Sequence, residues 1–150
     1  MKARKVDGLD PAGPMRANAA LIVAARLEEL TELAEEALEP AAATAQHDMR
    51  IAAKRLRYVL EITGGCLGPE AEALRDSAKR LQGVLGEIHD CDVMLPRVAG
   101  VESVEALLRT RRELLFARFR ELWLAEETKG ALNGRGVFPT REEGKEPRVA

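Results

Sequence analysis

Four long stretches in which apolar residues recur every three or four positions, separated by glycines and prolines, constrain this chain more than any other feature of its sequence. Such spacing lines apolar side chains along one face of an α-helix, whereas strands require alternation at every second residue. The first stretch carries Val23, Leu27, Leu30, Ala34 and Ala37, and Pro40 is expected to end it. The second runs from about Thr44 to Thr63, with Met49, Ala52, Leu56, Val59 and Thr63 on one stripe and Gly64-Gly65 as its stop. Gly68-Pro69 opens the third: Pro69 suits the first helical position, Glu70 and Glu72 suit the positive helix end, and Leu74, Ala78, Leu81, Leu85 and Ile88 form a stripe that Pro96 closes. The fourth begins near Ser103 and ends near Lys129-Gly130, with Leu108, Leu115 and Leu122 on one stripe and Phe116, Phe119 and Trp123 on the next. No segment alternates convincingly, so the expected fold is all-α, an antiparallel four-helix bundle.

A chain of 150 residues with 46% hydrophobic content can bury one core. Residues 1–14 read as a flexible leader, 15–129 as the bundle and 130–150 as a disordered tail, where glycine, proline and mixed charge leave little apolar area to offset the entropy of ordering. No run resembles a signal peptide or a membrane span, which points to a soluble, cytoplasmic protein without a membrane partner. Cys66 and Cys91 form no CxxC pair and read as free buried thiols, so neither a disulfide nor a metal site is expected, and no cofactor.

The formal net charge of -2 conceals strong segregation. Six glutamates and one arginine lie between Arg26 and Glu39, whereas Arg50, Lys54, Arg55 and Arg57 have no acid among them. His47, Arg50, Lys54 and Arg57 follow at spacings of three, four and three, and therefore stand on one side of the second helix, beside its apolar stripe. A solvated face would normally intersperse glutamates four residues away. Guanidinium groups engage phosphate oxygens in bidentate fashion and lysine acts as a point charge, so the row suits an extended phosphate chain. Pairing of this helix with the acidic first helix explains the same pattern equally well. Arg75, Lys79, Arg80, Arg109, Arg112 and Arg120 are second-rank candidates for ligand contact, several with acids nearby. Gly83 and Gly86 interrupt the third helix, serving either close helix packing or approach of an anion to the backbone.

The string His47 to Arg57, HDMRIAAKRLR, followed by Leu81 to Val93, LQGVLGEIHDCDV, resembles the CHAD family, an all-α domain named for its histidine. The first motif matches through His47, Arg50, Lys54, Arg55, Leu56 and Arg57, and the second through Leu85, Gly86, Asp90 and Asp92, with His89 where the family has arginine. The resemblance extends from about Asn18 to Glu126. It implies a helical bundle that binds inorganic polyphosphate through a basic groove, with His47, Arg50, Lys54, Arg55 and Arg57 as the contacts and no catalysis. Location at polyphosphate granules in the cytoplasm follows from the same reading. Typical members contain two related bundles; this chain supplies one, and a homodimer would rebuild the pair.

Three rivals stand beside that expectation. His-Asp occurs at 47–48 and 89–90, as in metal-dependent phosphohydrolases, but no aspartate follows Asp92 and no third histidine is present to complete such a site. A nucleic-acid-binding bundle would use the same cations on phosphates, although Phe116, Phe119 and Trp123 fall at core spacing rather than as stacking platforms. A bundle that binds an acidic protein is the third.

Overall fold

The computed structural model describes residues 1–128, with side chains to residue 126. It is all-α: α1 (Met15–Glu32), a single turn α2 (Ala34–Ala37), α3 (Ala43–Leu67), α4 (Pro69–Met94), a 3-10 turn over Leu95–Val98, and α5 (Glu102–Thr128). Four of the five helices are long, and no strand occurs among the described residues. The expected end at Lys129-Gly130 and the expected tail over 130–150 lie outside the described residues.

Helix ends depart from the sequence reading at two places. Gly64 and Gly65 do not stop α3, which continues to Leu67 because Thr63 and Leu67 remain buried against the rest of the fold. The stop is Gly68, whose φ of 94° lies in the left-handed region that side chains disfavour. Pro69 then occupies the first position of α4, so one residue reverses the chain between α3 and α4. The first helix opens at Leu33, just after the Thr31 hydroxyl has bonded to the carbonyls of Leu27 and Glu28, each at 3.1 Å. The following turn ends at Ala37, before Pro40 is reached. The side-chain amide of Gln46, itself buried, caps what that ending leaves open, donating to the carbonyls of Ala37 at 3.3 Å and Glu39 at 2.9 Å.

The apolar stripes bury as their spacing requires. Val23 and Leu30 from α1, Met49 and Leu56 from α3, Leu81, Leu85 and Ile88 from α4, and Phe119 and Trp123 from α5 all lie in one cluster. Burial of each such side chain contributes about 1.5–3 kcal/mol. The helices pack in sequence, α1 on α3, α3 on α4 and α4 on α5, and among the described residues the backbones of α1 and α5 do not meet. The α3–α4 pair is thus the centre of the fold.

Residues 1–14 lie against α1 and α3. Arg4 pairs with Glu32 and with Glu28 at 3.6 Å, its amide donates to Glu29, and its carbonyl accepts from Arg26 at 2.9 Å. Glu29, only 5% exposed, is balanced by Arg26 at 2.7 Å. The acids of α1 are therefore engaged by Arg4 and Arg26, and among the described residues none pairs with a cation of α3.

Candidate functional site

Because α3 buries Met49, Ala52, Ala53, Leu56 and Leu60, the adjoining side of that helix must carry His47, Arg50, Lys54 and Arg57. The row spans about 15 Å of helix. It faces α4: the rings of His47 and His89 lie 4.4 Å apart between centroids, and a Cβ placed on Gly86 would sit 3.5 Å from Arg50 Nε. Continuing that register brings Gln82 opposite Lys54 and Lys79 opposite Arg57. On α4, Arg75, Lys79, Gln82, Gly86 and His89 themselves form one row at alternating spacings of four and three. Two rows from two helices therefore run side by side.

Several polar atoms along these rows are buried without hydrogen-bond partners: His47 Nδ1, Arg50 Nε, Arg57 Nε and Gln82 Oε1. Arg57 Nε stands 3.4 Å from Glu61 Oε1, close enough for an ion pair but without hydrogen-bond geometry, so an acid lies just beyond the acid-free segment from Arg50 to Arg57. Burial, then the neighbouring His89, then Arg50 hold the pKa of His47 below its ordinary value, with Asp48 acting in the opposite sense. Tyr58 lies under the outer cations, its ring centroid 4.7 Å from Arg57 Cζ and 5.5 Å from Lys54 Nζ. Such contacts contribute about 0.5–1 kcal/mol at exposed sites.

The remaining candidates divide. Arg55 turns away from the row, donating to the Met1 carbonyl at 2.6 Å, while its Nη1 is buried without a partner. Arg75 stands in the α4 row but bonds to the neighbouring Asp76 at 3.2 Å. Lys79 is exposed in the same row. Arg80 faces α5, where it meets the buried Glu126 at 2.7 Å, and Ser77 donates to the same carboxylate at 2.6 Å. Arg112 joins three elements: it pairs with Asp92 of α4, donates to Gln46 of α3 at 2.9 Å and reaches the Pro40 carbonyl at 3.0 Å. Arg109 and Arg120 are exposed on α5, apart from both rows. Gly86 faces Arg50, whereas nothing lies within 4 Å of a Cβ on Gly83, so close packing does not account for that glycine.

Sequence reasoning passed over Gln46, Tyr58 and Gln82. Tyr58 had a readable signal, since an aromatic one to four residues from two cations on a helix lies within their reach. Gln82 becomes visible only once α4 is laid against α3. Among the described residues, no group of three or more histidine, cysteine, aspartate or glutamate side chains is arranged to hold a metal ion, and no helix is long and apolar enough to cross a membrane.

An all-helical protein with a histidine-led row of cations beside a second polar row is the class that this geometry defines. Comparison with family models matches residues 3–99 to the CHAD domain, and the chain belongs to that family of helical domains, which is associated in general with polyphosphate binding. The matched segment ends before α5. Comparisons with curated proteins and with solved structures gave no match.

Proposed function

We propose that this protein binds inorganic polyphosphate along the α3 row, with His47, Arg50, Lys54 and Arg57 as primary contacts and Lys79 and Arg75 of α4 on the opposite side, and that it acts by binding rather than catalysis. The observation that carries this reading is the set of unsatisfied atoms: three nitrogens of one helix face, on His47, Arg50 and Arg57, are buried without partners. A buried donor without an acceptor costs about 1–3 kcal/mol, and a phosphate chain laid along the row supplies acceptors at each repeat. Pairing of Glu28, Glu29 and Glu32 with Arg4 and Arg26 rather than with the α3 cations supports a ligand as the partner of the row. A role at cytoplasmic polyphosphate granules fits this binding.

The test is a titration of the full chain with long-chain polyphosphate, single-stranded DNA and RNA at two salt concentrations, beside a variant carrying Arg50→Ala, Lys54→Ala and Arg57→Ala. Polyphosphate should bind more tightly than either nucleic acid. The variant, with helicity retained, should bind it at least about a hundredfold more weakly, given roughly 1.5–3 kcal/mol for each charged hydrogen-bonded contact. Tighter binding of nucleic acid would overturn the choice of ligand, and undiminished binding by the variant would overturn the site.

A further inference from the structure

The only two histidines of the chain come from different helices and meet at one end of the cation row, with ring planes tilted by 37° and centroids 4.4 Å apart. Both are half-buried, and His47 Nδ1 has no hydrogen-bond partner. Two imidazolium rings at that separation repel one another, so both carry protons together only when negative charge lies beside them. The surroundings add to this constraint. On α3, Arg50 opposes protonation of His47 and Asp48 favours it; from the N-terminal segment the Met1 amino group, 3.9 Å from Asp48, opposes it. On α4 the exposed Asp90 adjoins His89. From α5, Arg112 reaches Gln46 beside His47, and its charge is already balanced by Asp92. Burial, then His89, then Arg50 hold the pKa of His47 below its ordinary value in the free protein.

We infer that the His47–His89 pair makes anion binding proton-linked: a phosphate unit seated against the two rings draws a proton from solvent onto each, and affinity rises as pH falls through neutrality. This rests on the polyphosphate reading above and adds to it how the site is regulated. A phosphate oxygen accepts an N–H from each imidazolium, and the negative charge that makes these bonds also offsets the repulsion between the rings. An arginine at position 89 would supply a permanent charge; the histidine supplies one that depends on pH.

The experiment measures affinity of the full chain for long-chain polyphosphate at constant ionic strength from about pH 8 to about pH 6, the range in which imidazole titrates. Calorimetry in two buffers of different ionisation enthalpy counts the protons taken up. Wild type should bind at least about tenfold more tightly at the lower pH, with uptake of between about one and two protons, since each linked proton changes affinity by up to tenfold per pH unit. His89→Arg should bind more tightly than wild type at the higher pH and show a shallower dependence. A wild type that binds equally at both pH values without proton uptake overturns the inference and leaves the polyphosphate reading intact. An unchanged slope in His89→Arg also overturns it. Absence of binding at every pH overturns the polyphosphate reading and the inference with it.

Discussion

Arginines of equal formal charge do different things in this protein, and what separates them is the acid each one meets. Arg112 is tied to Asp92, Gln46 and the Pro40 carbonyl, and Arg80 to the buried Glu126. Neither set of pairings was legible in the sequence, because the partners lie 20 to 72 and 46 residues away and spacing reports only neighbours on one helix. The row from His47 to Arg57 was legible, since alternating steps of three and four on one helix fix a common side whatever the tertiary fold. Arg112→Ala should therefore lower stability by about 1–3 kcal/mol, as Asp92 and Gln46 lose their partner, while leaving polyphosphate affinity within about twofold. Urea unfolding beside the binding titration checks both halves of that expectation. His47 adds a pH dependence of stability opposite in sense to the one proposed for ligand binding. In the unfolded chain it takes up a proton near pH 6.5, whereas in the fold its pKa is lowered. The unliganded fold accordingly loses stability as pH drops through the ordinary imidazole value toward the folded one, and the loss levels off below that. Urea midpoints at about pH 7.5 and about pH 5.5 should differ less in His47→Gln than in wild type.

At the scale of elements, each helix is held by its apolar stripe, and the sequence reading erred where it let punctuation outrank that stripe. Gly64-Gly65 resembles a stop, yet α3 continues to Leu67 because one more turn buries that leucine. The terminator is the next glycine, Gly68, the one with positive φ. The pre-proline position and Pro69 were readable for a different reason: a proline ring fixes φ and lacks an N–H, which restricts it to the start of a helix regardless of packing. Nothing lies within 4 Å of a Cβ on Gly64 or Gly65, so neither glycine is required for space. Gly64→Ala and Gly65→Ala should each stabilise the protein by up to about 1 kcal/mol through helix propensity. Gly68→Ala should destabilise it by about 1–2 kcal/mol, since its left-handed conformation is disfavoured for alanine. Thermal melts of the three variants should show midpoints moving in these opposite directions.

Over the whole molecule, the match to the CHAD domain ends at residue 99, yet the core does not. Phe116, Phe119 and Trp123 of α5 are buried in the same cluster as Leu81, Leu85 and Ile88 of α4, and Glu126 accepts bonds from both Ser77 and Arg80 across that boundary. The helices pack in a row, so α5 is the sole long helix against its side of α4 among the described residues, and removing it exposes a continuous apolar face. The rows proposed to bind ligand lie at the α3–α4 junction on the other side of that helix, and α5 reaches their end through Arg112, which bonds to Gln46 beside His47. A chain shortened to end at Gly100 should therefore lose cooperative unfolding and bind polyphosphate weakly, although every proposed primary contact is retained. Phe119→Ala, which leaves a cavity in the intact chain, should lower stability by about 3–5 kcal/mol without altering affinity in whatever fraction stays folded. Calorimetric unfolding of both, with binding measured on the folded fraction, separates a helix that completes the core from one that merely follows the domain: a shortened chain that melts cooperatively and binds like wild type would show that α3 and α4 need no support from α5.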